Sequence, residues 1–93
     1  MIASFRSRAL KRFFEKNDAS KINPAWVERI GMLLDALDDA EAPGDLDTVG
    51  VGFHALKGKP PRWSVTVSRN WRLTFGWEDK DAIDVDLEDY HGK

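Results

Sequence analysis

The chain contains two histidines, His54 and His91, and one tyrosine, Tyr90, which stands between Asp89 and His91. Histidine titrates near neutrality, so it takes or gives a proton at working pH. Lys57 lies three residues after His54, and Arg72 lies further along the same cationic stretch. A guanidinium presents a planar fork that suits phosphate oxygens. Two imidazoles, a phenol, a carboxylate and two cations are a sufficient set for cutting an RNA phosphodiester. In that chemistry the RNA's own 2′-OH attacks the neighbouring phosphorus. A base takes its proton, an acid protonates the leaving 5′-oxygen, and a cation stabilises the charge that grows on the phosphorane. The scheme requires no metal and no other cofactor. Each residue also has a plainer reading. A surface histidine is commonly no more than that, Arg72 can pair with Asp84, Asp86 or Glu88 across a sheet, and Tyr90 can pack its ring at a sheet edge.

These residues need elements to hold them, and the second half of the chain supplies a period of two. Val51, Phe53 and Ala55 fall on one side of a short strand, and Gly52, His54 and Leu56 on the other. Trp63, Val65 and Val67 alternate with Ser64, Thr66 and Ser68. Trp71, Leu73, Phe75 and Trp77 alternate with Arg72, Thr74 and Gly76, and Ile83, Val85 and Leu87 with Asp84, Asp86 and Glu88. Alternation broken by short turns predicts an antiparallel meander, apolar on one face and polar on the other. His54 and Arg72 share the polar phase, so both face away from the core, and Asp89, Tyr90 and His91 follow the last strand. The first half reads helical. Phe5, Ala9, Leu10, Phe13 and Phe14 fall at helical spacing, with Arg6, Arg8, Lys11, Arg12 and Glu15 between them. Asn23-Pro24 opens a second helix, since Asn caps and Pro suits the first helical position. Val27, Ile30, Leu34 and Leu37 form its apolar stripe. Two helices over the apolar face of the sheet make a two-layer α+β domain.

Ninety-three residues fit one domain, spanning 1–93, and ten aromatics can fill a core even at this length. The chain has no cysteine, which excludes disulfides and thiolate chemistry. No apolar run approaches the roughly 20 residues of a membrane span, and the start MIASFRSRALKRFF lacks the apolar stretch of a signal peptide. A cytoplasmic protein with no membrane role is the expectation. The net charge is only −2, but it is segregated. Residues 32–50 carry six acids and no base, and residues 51–75 carry Lys57, Lys59, Arg62, Arg69 and Arg72 with no acid. The second stretch is a candidate anion-binding surface. An acidic pI of about 5.6 argues against indiscriminate nucleic-acid binding. The sequence has no Gly-rich phosphate loop and no nucleophile elbow. Its two distant histidines make a poor zinc signature, and its carboxylates show no Mg²⁺ spacing.

The whole pattern resembles the HigB-type toxins of bacterial type II toxin–antitoxin systems, within the RelE/ParE superfamily. The likeness rests on the opening Met1 to Phe5, on His54-Ala55-Leu56-Lys57-Gly58, on Trp63-Ser64-Val65, on Asn70-Trp71-Arg72-Leu73-Thr74-Phe75 and on Glu88-Asp89-Tyr90-His91, in that order. It implies two N-terminal helices packed on a curved antiparallel sheet. It also implies a ribosome-dependent mRNA endonuclease that enters the small-subunit decoding site. His54, Asp89, Tyr90 and His91 would be catalytic, with Lys57 and Arg72 on the substrate. The implied partner is a HigA-type helix-turn-helix antitoxin, through which alone the toxin would reach operator DNA. Two other readings compete. The superfamily includes proteins that block DNA gyrase without cutting RNA. A weakened toxin would act mainly in antitoxin binding and operon control, with the basic outer face of its N-terminal helices docking an acidic or amphipathic segment.

Overall fold

The computed structural model describes residues 1–90. The period-two segments become four strands, β1 (Val51–Leu56), β2 (Arg62–Thr66), β3 (Trp71–Glu78) and β4 (Asp81–Asp89). They form an antiparallel sheet in chain order, as a meander with short turns must. Two helices, α1 (Arg8–Lys16) and α2 (Val27–Asp39), cover its apolar face, which gives the expected α+β architecture. Leu10 of α1 and Ile30, Leu33, Leu34 and Leu37 of α2 meet Val65, Leu73, Phe75 and Val85 of the sheet in one buried cluster. Each side chain enclosed this way contributes roughly 1.5–3 kcal/mol. The Trp and Phe stripes belong to this layer. Trp63 stacks on Phe75 with centroids 6.1 Å apart, and Trp26 meets Trp71 at 5.3 Å.

Local signals set the helix ends. The Asn23 carboxamide oxygen accepts from the Ala25 N–H at 2.9 Å, but it caps a 3₁₀ turn, Pro24–Trp26, that runs directly into α2. Asn17 stops α1 in the left-handed region at φ 54°, a conformation that asparagine tolerates better than most residues. No helix among the described residues is long and apolar enough to cross a membrane.

The structure departs from the sequence pattern at the chain start, in β4 and in β1, where the register slips between Val51 and His54 and sets the exposed Val51 opposite Thr66 of the polar phase. Phe5 is not helical. The Ser7 hydroxyl accepts from the Leu10 N–H and caps α1 there, which leaves the preceding residues extended. They lie along β4 in parallel, with Ile2 bridging Ala82 and Phe5 bridging Val85. The Ala3 and Arg6 N–H groups donate to the Ala82 and Val85 carbonyls at 2.8 Å each. Phe5 still reaches the core, 5.8 Å from Phe14. Secondly, β4 does not alternate throughout. Its register slips between Thr74 and Gly76, where Asp84 adopts φ 49°. This bulge turns Ile83 onto the polar face, opposite Gly76, where a methyl on Gly76 would stand 3.2 Å from Ile83 Cγ1.

Candidate active site

The face of the sheet turned away from the helices is organised in three cross-strand rows. Thr66, Arg72 and Glu88 form the first, His54, Ser64, Thr74 and Asp86 the second, and Leu56, Arg62, Gly76 and Ile83 the third. His54 and Arg72 therefore lie on one face, as their parity predicts, and His54 is exposed. Tyr90 joins them from beyond β4, anchored by its N–H on the Asn70 carbonyl at 2.6 Å.

Arg72 is held tightly in the first row. Its Nη1 donates to Thr66 Oγ1 at 2.9 Å, and its guanidinium carbon lies 5.6 Å from the centre of the Tyr90 ring. A cation over an aromatic face is attracted by the ring quadrupole, by about 0.5–2 kcal/mol according to exposure. Arg72 does not pair with Asp84, Asp86 or Glu88 within 4.0 Å among the described residues, so the plain ion-pair reading is not what is found. Space for this arrangement comes from Gly52, at φ 67°. Any Cβ there would fall 2.5 Å from Thr66 Oγ1 and 3.4 Å from Arg72 Nη1. Burial pushes the Tyr90 hydroxyl's pKa upward, and the nearby Glu88 carboxylate adds to it against the opposing charges of Arg72 and Arg62. The phenol thus keeps its proton and remains a donor.

Arg62 organises the centre. Its Nη2 donates to Thr74 Oγ1 at 3.0 Å and to the Asp84 carbonyl at 2.9 Å, a carbonyl offered by the residue at the bulge. The wholly buried Thr74 hydroxyl in turn donates to Glu88 Oε2. Arg62 and Glu88 are thereby joined through a hydroxyl rather than in direct contact. Burial lowers the Arg62 pKa, as does the positive charge of Arg6, while Glu88, Asp84 and Asp86 oppose that shift. Above this chain of bonds opens a cleft of about 350 Å³, lined by Arg6, Leu56, the 57–60 loop, Arg62, Glu88 and Tyr90.

The expected residues are thus distributed unevenly. Lys57 and Tyr90 line the cleft, Arg72 stacks on Tyr90, and His54 occupies the neighbouring row at the β1 edge. Asp89 is exposed and pairs opposite Trp71, in the phase of Leu87 rather than of Glu88. His91 lies outside the described residues. Thr74 and Glu88 do not appear among the sequence candidates for the site, and Arg62 appears only as one cation of the 51–75 stretch. Parity holds the signal, because residues 62, 64 and 66 share one phase of β2, but charge alone does not separate Arg62 from the other cations of residues 51–75.

The HigB-like toxin family model, described as the RelE-like toxin of the type II toxin–antitoxin system HigB, matches residues 3–91. The chain is 41% identical over 92 residues to Endoribonuclease HigB of Proteus vulgaris, covering 98% of this chain and all of that relative. It is 31% identical over 91 residues to Toxin HigB-1 of Vibrio cholerae serotype O1, covering 95% of this chain and 96% of the other. A type II toxin has a protein antitoxin as its partner, and by these matches the chain belongs to the HigB-like family of RelE-like toxins.

Proposed function

We propose that this chain is an endoribonuclease that cuts mRNA on the ribosome without a metal, by attack of the RNA's own 2′-OH. The observation that carries the reading is the polar sheet face, where Arg72 is fixed against Tyr90 beside an open cleft with cationic walls. The 41% identity to a relative named an endoribonuclease supports it. His54 and His91 exchange the protons, Tyr90 orients the substrate or stacks on a base, and Asp89 holds a histidine or the chain end in place. Lys57 and Arg72 bind the phosphate and stabilise its developing charge. The ribosomal decoding site presents the mRNA to an acidic protein that sets Arg6, Lys57, Lys59 and Arg62 around one cleft. A HigA-type helix-turn-helix antitoxin neutralises the toxin and brings it to operator DNA, all within the cytoplasm.

Induction of the chain alone, followed by mapping of mRNA 5′ ends, tests the reading. In-frame cuts within translated regions are expected, and His91→Ala slows them at least about tenfold, at the low end of the general acid–base range. Intact mRNA with accumulating gyrase–DNA complexes would favour a non-cutting inhibitor instead. Unimpaired growth would leave only antitoxin binding and operon control.

A further inference from the structure

We propose that Arg62 is a second phosphate anchor on this face, gripping a phosphodiester that flanks the one to be cut. The inference rests on the endoribonuclease reading above and adds to it a subsite and a residue.

Arg62 and Arg72 are tied to different places. Arg72 leans on Thr66 in β2, under Gly52 of β1, whereas Arg62 reaches across β3 to Thr74 and to the Asp84 carbonyl of β4. Their rows lie four residues apart along β2, roughly 13 Å by strand rise, and although the Arg62 head group leans one row inward to Thr74, each guanidinium keeps its own anchors. The acceptors that hold Arg62 are a hydroxyl and a carbonyl, both neutral. Among the described residues no carboxylate lies within 4.0 Å of it, so its charge has no direct counter-ion. Among the described residues that line the cleft, Arg6, Lys57, Lys59 and Arg62 stand against Glu88 as the one carboxylate, with Arg6 also paired to Asp84 at 3.9 Å.

Burial and the charge of Arg6 disfavour the cationic form of Arg62, against the partial support of Glu88, Asp84 and Asp86, and an anion in the cleft adds to that support. The guanidinium is also fixed before any ligand arrives, so little ordering is lost on binding. Tyr90 lines the cleft on one side and meets Arg72 on the other. It therefore offers an aromatic surface between two cationic positions, which suits a single-stranded nucleic acid better than a free anion.

The test uses purified chain and ribosomes programmed with a defined mRNA, with kcat and KM measured separately. The wild type cuts, and Arg62→Gln, which keeps an amide donor for Thr74, loses about tenfold in kcat/KM, chiefly through KM. Arg62→Lys restores part of that loss. An mRNA with a single neutral methylphosphonate linkage beside the cut site weakens the wild type to a similar degree and weakens Arg62→Gln no further, because both changes remove the same contact. Wild-type constants in a folded Arg62→Gln protein, or full additivity at every flanking linkage, overturn the subsite while leaving the nuclease reading intact. A wild type that does not cut on ribosomes overturns the nuclease reading itself, and the subsite with it.

Discussion

The two faces of one sheet are built on different physics. Toward the helices, Val65, Leu73, Phe75 and Val85 are enclosed with nothing polar among them. Toward the cleft, Ser64 and Thr74 are as deeply enclosed, at 1% and 0% exposure, but each carries a hydroxyl into the interior. The Thr74 hydroxyl is satisfied on both sides by Arg62 and Glu88. Among the described residues, Ser64 Oγ and Arg72 Nε are buried without a hydrogen-bond partner, and both sit on the polar face. Buried polar atoms are almost always paired, and an unmet one costs about 1–3 kcal/mol. The apolar face therefore supplies the stability, and the polar face holds groups in positions that stability alone would not select.

Four experiments break or sharpen this contrast. The largest effect is expected on the apolar side, where Phe75→Ala removes the ring between Trp63 and Trp77 and destabilises the fold by about 3–5 kcal/mol in urea denaturation. On the polar side, Arg72→Ala lowers the cutting rate on ribosomes about 100-fold, the scale of losing one donor to a developing oxyanion. Its unfolding free energy falls by only about 1–2 kcal/mol. Near-equal loss in both measurements would show that Arg72 is structural. Two buried hydroxyls one strand apart then separate satisfied from unsatisfied burial. Thr74→Val strands a donor on Arg62 and an acceptor on Glu88 and costs about 1–3 kcal/mol, whereas Ser64→Ala changes stability by under about 0.5 kcal/mol or raises it. A large loss at Ser64 would reveal a partner for its hydroxyl.

The smallest effect is a titration. The chain has one tyrosine, so phenolate absorbance reports Tyr90 alone, and burial places its midpoint above the ordinary value of 10.0. The folded protein thus holds this proton more tightly than the unfolded chain. The resulting stability is present below pH 10 and is lost as pH rises through the folded midpoint. Arg72→Ala moves that midpoint higher still, because it removes a charge that favours the phenolate.

Much of this was legible in the residues. Alternation through Trp63, Val65, Leu73 and Phe75 gives the sheet, its order and its buried face, and the same parity brings His54 and Arg72 together. What escaped was set by geometry that pattern does not encode. Ser7 cut α1 short, because a cap outweighs the helical spacing of Phe5. The bulge at Asp84 moved Ile83 to the polar face, since one extra residue reverses every phase that precedes it. Charge alone does not separate Arg62 from the other cations of residues 51–75, whereas the β2 register sets it opposite Gly76 on the polar face.

The extended segment beside β4 links this chemistry to the completeness of the chain. Ser4 Oγ accepts the Asp84 N–H at 2.9 Å across a separation of eighty residues, and the same Asp84 offers its carbonyl to Arg62. Closing a loop that long is slow compared with forming the β3–β4 hairpin, whose partners are near in sequence. A molecule with its hairpins made but its beginning still loose would hold residue 62 on an unsupported kink. The Asp84 carbonyl is thus expected to be the last of the Arg62 supports to be fixed, and damage to the first few residues is expected to reach the cleft although none of Ile2, Ala3 and Ser4 lines it.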